Sequence, residues 1–178
     1  EIAYLAKLEG ADGTALFKPD FLAYLRALRL SLDVDAVPEG PAWDLYAGVG
    51  LFSLPLAGAF DKIVAVESSA AAANDLTQNA QRAGRAVDMQ HLAADHFLAV
   101  QTEAPDFVLA DPPRAGLGKT VVDHLTRLRP QRITIVSCDP ATLARDLAGL
   151  LANSYAIERI TLADLFPQTA HLETIVHL

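Results

Sequence analysis

One cysteine, three acidic residues and a pair of glycines carry most of the chemistry this sequence could do. Cys138 is the only cysteine in the chain, and it lies in Ile133-Thr-Ile-Val-Ser-Cys-Asp-Pro-Ala-Thr-Leu-Ala-Arg-Asp146. Ile133–Val136 is short, apolar and rich in β-branched residues, as a strand covered on both faces should be. Asp139 then stands where a helix N-cap belongs and Pro140 where the first helical residue belongs. Leu143, Leu147, Leu150 and Leu151 follow at helical spacing. Cys138 is thus predicted at the carboxyl end of a strand, beside the positive end of a helix dipole, where a thiol becomes a better nucleophile. Asp139 opposes thiolate formation if it is charged. A lone cysteine is more commonly a buried structural thiol; its place at a helix start argues for reactivity.

Three further groups share that setting. Asp111-Pro-Pro-Arg114 is rigid, since two prolines fix φ and remove two donors, and it presents a carboxylate and a guanidinium at a strand end. Asp44-Leu-Tyr-Ala-Gly-Val-Gly-Leu-Phe-Ser53 is a glycine turn after the first strand, where Gly48 and Gly50 let a ligand approach the backbone. A dinucleotide site would want a third glycine near Ser53, and none is present. Glu67 closes the second strand, placed to accept hydrogen bonds from a ribose diol. Together these features suit a nucleoside-bearing ligand without a pyrophosphate, namely S-adenosylmethionine. The plain alternative for Glu67 is a solvated strand end, and for the Asp111 motif a proline-rich loop.

The elements that would position these groups alternate. Phe21, Leu22, Leu25, Leu28 and Leu32 predict a helix over about 20–32, and Pro38-Glu-Gly-Pro41 ends that lead-in. Ala42–Tyr46 then reads as a strand, with a helix from the glycine turn to about Ala59. Lys62–Val66 is a strand ending at Glu67, and Ser69–Ala83 a helix capped by Ser68 or Ser69. Val87–Leu92 is a strand with Asp95 just beyond it. Asp106–Ala110 is a strand ending at Asp111, followed by a helix over Lys119–Leu128. The Cys138 strand and helix come next, and strands near Tyr155–Leu162 and Leu172–Leu178 close the chain. Such alternation implies an α/β fold, a Rossmann-like, mostly parallel sheet with helices on both faces and an antiparallel strand near the C-terminus. In these sheets ligands bind outside the carboxyl ends of the strands. Gly48, Gly50, Glu67, Asp95, Asp111 and Cys138 all fall there.

Composition narrows the classes. The 178 residues fit one domain, residues 1–178 with the lead-in over about 1–40, and 52% hydrophobic with 20% charged residues excludes a disordered chain. No apolar run approaches the roughly 18 residues of a membrane span. One cysteine excludes an internal disulfide and a multi-cysteine metal site, and suits a reducing cytosol, so the expected setting is cytoplasmic, without membrane or metal. The chain begins Glu1-Ile-Ala-Tyr without Met, as expected of a domain excised from a longer chain. A net charge of −8 is unfavourable for contacting phosphates unaided.

Over residues 16–178 the sequence resembles the RNA 5-methyluridine (uracil-C5) methyltransferase family, class I enzymes of ribosomal and transfer RNA. DLYAGVGLFSLPLA, VAVESS, DFVLADPPRAGLG, IVSCDPATLARD and DLFPQTAHLET occur in the family's order. The resemblance implies Cys138 as nucleophile and Glu173 as general base. It implies S-adenosylmethionine contacts from Tyr46, Glu67 and Asp111, the backbone at Gly48 and Gly50, and Asp95 near the adenine. It also implies an RNA substrate, ribosomal slightly favoured, engaged with help from a region outside this chain. Lys18, Leu51 and Asp139 depart from the family's Gln, Asn and Asn. A catalytically silent RNA-binding module and a methyltransferase for another substrate are the alternatives. Cytosine-C5 RNA enzymes place a cysteine beside the Asp-x-Pro motif, where this chain has Pro113-Arg114.

Overall fold

The computed structural model describes residues 40–163 and 173–178. The expected helix over 20–32, Lys18 and the segment from Asp164 to Leu172 lie outside the described residues. Seven strands form one sheet: β1 (Pro41–Leu45), β2 (Lys62–Glu67), β3 (Asp88–His91), β4 (Phe107–Ala110), β5 (Arg132–Ser137), β6 (Arg159–Ala163) and β7 (Glu173–His177). Their order is β3-β2-β1-β4-β5-β7-β6. The first five are parallel; β7 runs antiparallel to both β5 and β6. The mostly parallel sheet with an antiparallel strand near its end is therefore present.

Among the described residues five helices cover it: α1 (Ser53–Leu56), α2 (Ala70–Ala83), α3 (Ala94–Val100), α4 (Gly118–Leu128) and α5 (Pro140–Leu151). Strand side chains alternate between faces. Trp43, Leu45, Val108, Ala110, Ile133 and Ile135 point to one side and pack with Phe97, Leu125, Leu143 and Leu147 of α3, α4 and α5. Trp43 meets Phe97 edge to face at 4.9 Å. Ala42, Ile63, Phe107, Leu109 and Val136 point to the other side with Phe52 and Leu56, and Leu76 of α2 packs on Ala65 there. Both faces of the central strands are thus dry, as the continuous apolar runs required.

Helix boundaries follow local chemistry. Asp139 caps α5 as expected, its carboxylate accepting from the N–H groups of Ala141 and Thr142, with Pro140 in the first turn. Ser69 caps α2 through Ala72, and Gly84 ends it in the left-handed conformation at φ +64°. The helix expected after the glycine turn is much shorter than the sequence pattern implied. Pro55 has no N–H to offer the Leu51 carbonyl, so regular helix starts only at Ser53. Past Leu56 the chain tightens into turns in which the Gly58 and Ala59 N–H groups donate to the Pro55 and Leu56 carbonyls. Helix α3 was not anticipated, because its seven residues are too few to show a period.

Candidate active site

The carboxyl ends of the parallel strands and the start of β7 share one edge of the sheet. Leu45 is in register with both Val66 and Ala110, so Tyr46, Glu67 and Asp111 emerge side by side. Ala110 is in register with Ile135, which places the Cys138 corner next to Asp111 across β4 and β5. Ser137 faces Thr174 in the last registered pair of β5 and β7. Cys138 and Glu173 therefore leave the ladder next to one another, although 35 residues separate them in the chain. Cys138 is a free, half-buried thiol.

The glycine turn is built around Glu67. Its Oε2 accepts the Gly48 N–H at 2.9 Å and its Oε1 accepts the Ser69 N–H at 2.6 Å. One carboxylate thus holds both the turn after β1 and the start of α2. A carboxylate has about four lone-pair sites, so capacity for a diol remains. Gly48 and Gly50 adopt φ of +54° and +94°, and a side chain at Gly48 would meet nothing within 4 Å, which leaves its outer side open. Tyr46 takes φ +63°, a left-handed conformation costly for a residue with a Cβ. That twist turns the chain sharply over the strand end.

Two carboxyls here are far from their ordinary protonation range. Asp44 is fully buried beneath the turn on the α1 side of the sheet and accepts a hydrogen bond from the Ser53 hydroxyl. Its Oδ1 has no partner among the described residues. Burial pushes its pKa up to about 7, with Asp111 and Glu67 adding repulsion against the opposing Ser53 bonds. Asp111 is raised to about 7 as well, by burial first and by the Glu173 charge second. Asp44 was absent from the sequence-based candidates. The signal was there: it is the one charged residue in the apolar strand Pro41-Ala-Trp-Asp-Leu45.

Asp139 resolves its conflict with Cys138 through its own bonds. Oδ1 accepts from Ala141 N–H at 3.0 Å and Thr142 N–H at 2.8 Å. The Thr142 N–H foremost, with the Thr142 hydroxyl, the Ala141 N–H and the Arg114 charge, holds this carboxyl below the usual range. The free donors at the start of α5 are thus taken by Asp139, and the cysteine shares only the field of the helix end.

Beside the edge lies a cavity of about 240 Å³. Tyr46, Leu92 and Leu117 give it apolar walls, Asp95 and Ser68 stand at its rim, and Gly118–Val121 of α4 close one side. Asp95 lies just beyond β3, as expected, in the first turn of α3. The geometry assembles two neighbouring features: the cavity beside α3 and α4, and a cluster of carboxylates with a thiol at the same sheet edge.

Sheet order and site place the chain among the class I methyltransferases. It has 30% identity to the tRNA (uracil-54, C5)-methyltransferase of Pyrococcus abyssi, a structure in complex with S-adenosyl-L-homocysteine, with a TM-score of 0.78 over 87% of this chain and 38% of that one. Within that class the chain belongs to the RNA uracil-C5 methyltransferase family. The family described as tRNA (Uracil-5-)-methyltransferase matches residues 101–178. A 23S rRNA (uracil(1939)-C(5))-methyltransferase of Enterobacter sp. is 39% identical over 149 residues, 80% of this chain and 34% of that protein. A 23S rRNA (uracil(747)-C(5))-methyltransferase of Xenorhabdus nematophila is 37% identical over 137 residues, 76% of this chain and 36% of that protein. The chain spans about a third of the length of these relatives. Among the described residues no helix is long and apolar enough to cross a membrane.

Proposed function

We propose that this chain is the catalytic part of an enzyme that transfers a methyl group from S-adenosylmethionine to C5 of a uridine in RNA. The observation that carries the reading is the meeting of Cys138 and Glu173 at one sheet edge, next to Asp111, through the β5–β7 register.

The residues present fit the cofactor. Its ammonium and sulfonium are cations, and the edge gathers Asp44, Glu67, Asp111 and Glu173, two of them raised to about 7 by burial first and by neighbouring negative charge after it. The unpartnered Oδ1 of buried Asp44 belongs to the same group. Glu67 would take the ribose diol and the cavity between α3 and α4 the adenine, with Asp95 at its rim. S-adenosylmethionine supplies an electrophilic methyl on a positively charged sulfur.

Cys138 and Glu173 account for the remaining chemistry. Uracil C5 is too weakly nucleophilic to take a methyl group unaided. Addition of the Cys138 thiolate to C6 turns C5 into an enolate-like carbon, which forms the new C–C bond as the methyl leaves sulfur. Glu173 then removes the C5 proton, and the C5–H electron pair restores the C5=C6 bond as the Cys138 Sγ–C6 bond breaks. Holding three partners in one pocket removes much of the entropic cost. The uridine must be unpaired or flipped outward to reach the edge. With a net charge of −8, this chain needs a more basic region elsewhere in the protein to hold RNA phosphates.

The test is incubation of the full-length protein with unmodified RNA and labelled S-adenosylmethionine. Wild type should make 5-methyluridine and Cys138→Ala none. Glu173→Gln should trap a covalent RNA–protein adduct that survives denaturation. Absence of both product and adduct would refute the proposal. A catalytically silent RNA-binding module would bind RNA and yield neither.

A further inference from the structure

We propose that Asp146 is a positioning residue that couples the cavity between α3 and α4 to the reactivity of Cys138. This rests on the methyltransferase reading above. Asp146 sits two turns into α5, the helix that begins right after the cysteine corner, and it is only 3% exposed. Its carboxylate does not serve its own helix. Oδ2 accepts the Leu117 N–H at 2.6 Å and Oδ1 the Gly118 N–H at 3.3 Å. Those are the opening N–H groups of α4, whose own N-cap residue makes no side-chain bond. One helix thus receives its cap from another.

Arg145 completes the latch. Its Nε and Nη2 donate to Asp146 Oδ1 at 3.0 and 2.8 Å, and Nη2 also donates to the Ala115 carbonyl at 2.8 Å. The Thr142 hydroxyl donates to the Arg114 carbonyl at 3.0 Å. The whole segment after Asp111-Pro-Pro is therefore fastened along α5. The fit is close: a Cβ on Gly116, at φ +77°, would stand 2.3 Å from Asp146 Oδ2.

The two ends of this latch are the two halves of the site. Leu117 and Gly118 line the cavity, and the Asp146 charge reaches Tyr46 on its opposite wall, where it adds to burial and Asp95 in raising that phenol to about 12. Seating of a ring against Leu117 and Gly118 presses on the Asp146 carboxylate and, through α5, on the corner holding Cys138. Such coupling is reciprocal. Filling of the cofactor cavity is thereby conveyed to the thiol before the base arrives.

The experiment compares full-length wild type with Asp146→Asn and Gly116→Ala, all below their melting temperatures. Two quantities are read: S-adenosylhomocysteine affinity by calorimetry, and the iodoacetamide alkylation rate of the Cys138 peptide by mass spectrometry, with and without S-adenosylhomocysteine. In wild type the alkylation rate should change by about fivefold or more on saturation. Asn keeps the shape but offers an N–H where Leu117 needs an acceptor. It should bind about tenfold more weakly and lose most of the ligand dependence of alkylation. Gly116→Ala, which keeps every latch group but wedges it open, should do the same and decides the matter if Asp146→Asn does not fold. A variant that binds weakly yet keeps the wild-type alkylation ratio overturns the proposal. So does a variant that melts lower with both quantities unchanged, or a wild-type thiol indifferent to S-adenosylhomocysteine. Wild type that does not bind S-adenosylhomocysteine at all overturns the methyltransferase reading itself, and this inference with it.

Discussion

Replacing Asp44 by Asn should change how stability depends on pH, with little effect at the acidic end. Asp44 is fully buried, one oxygen on the Ser53 hydroxyl and the other unpartnered among the described residues. Its native pKa is pushed up to about 7, against 3.8 for an ordinary aspartate. Between those two values the folded protein keeps a proton that the unfolded chain has released. Folding is then favoured by low pH, and the free energy of unfolding falls by about 1.4 kcal/mol for each pH unit gained. Over the interval of about three units the loss is on the order of 4 kcal/mol, a large part of the 5–15 kcal/mol typical of a domain. Asn has nearly the same shape, can accept from Ser53 and never ionises. Asp44→Asn should match wild type at pH 4 and exceed its stability by on the order of 4 kcal/mol at pH 8. Urea unfolding at pH 4, 5, 6, 7 and 8, in the absence of any ligand, measures the difference directly. A gap between the two proteins that stays constant from pH 4 to pH 8 would show that Asp44 ionises normally in the fold, and the account of a cation-hungry carboxylate cluster would fall with it. Asp111→Asn offers a control, since removing that charge lowers the Asp44 pKa and shifts the slope to lower pH.

Asp139→Ala removes the side-chain cap of α5 and should lower Tm by about 2–4 °C at neutral pH. Because the folded carboxyl lies below its ordinary range, its contribution is present above the unfolded pKa and lost as pH falls through the folded value, so thermal melts should converge in strong acid. Gly149→Ala tests the α4–α5 contact: helix propensity favours Ala by about 1 kcal/mol, but the new Cβ would stand 2.7 Å from Val122 Cγ1. Chemical denaturation should show a net loss of about 1–3 kcal/mol, recovered in the Gly149→Ala/Val122→Ala pair.

Much of this molecule was legible because its strands are short apolar runs closed by punctuating residues. Asp139-Pro140 marked the start of α5, and Glu67 and Asp111 marked the ends of β2 and β4 within a residue. What local pattern could not convey was anything set by a distant partner. Helix α3 exists because Phe97 and Leu98 bury against the sheet, not because its seven residues repeat. Asp44 looked like one more motif residue until the helix above it removed all solvent. Nothing in the local pattern of α5 marks Asp146 as buried, yet it is, and it serves α4 from 28 and 29 residues away. The pairing of Cys138 with Glu173 depended on β7 inserting between β5 and β6, which no periodicity announces.

That insertion has a consequence for how the protein comes into being. The parallel strands β1 to β5 all precede β7 in the chain and can assemble as it is made. The β5–β7 ladder links Thr134 to His177, 43 residues on in sequence, so it cannot close until the chain has been made past β7. A chain that has reached Ala163 has its thiol, its cavity and its acidic edge, but not Glu173. If Glu173 is the group that ends the reaction, a nascent or truncated molecule could attach itself to a uridine and never let go. On that reading, capture of β7 by β5 is the folding step that makes the attack on RNA reversible, and a molecule that reacts before that step is exposed to suicide on RNA.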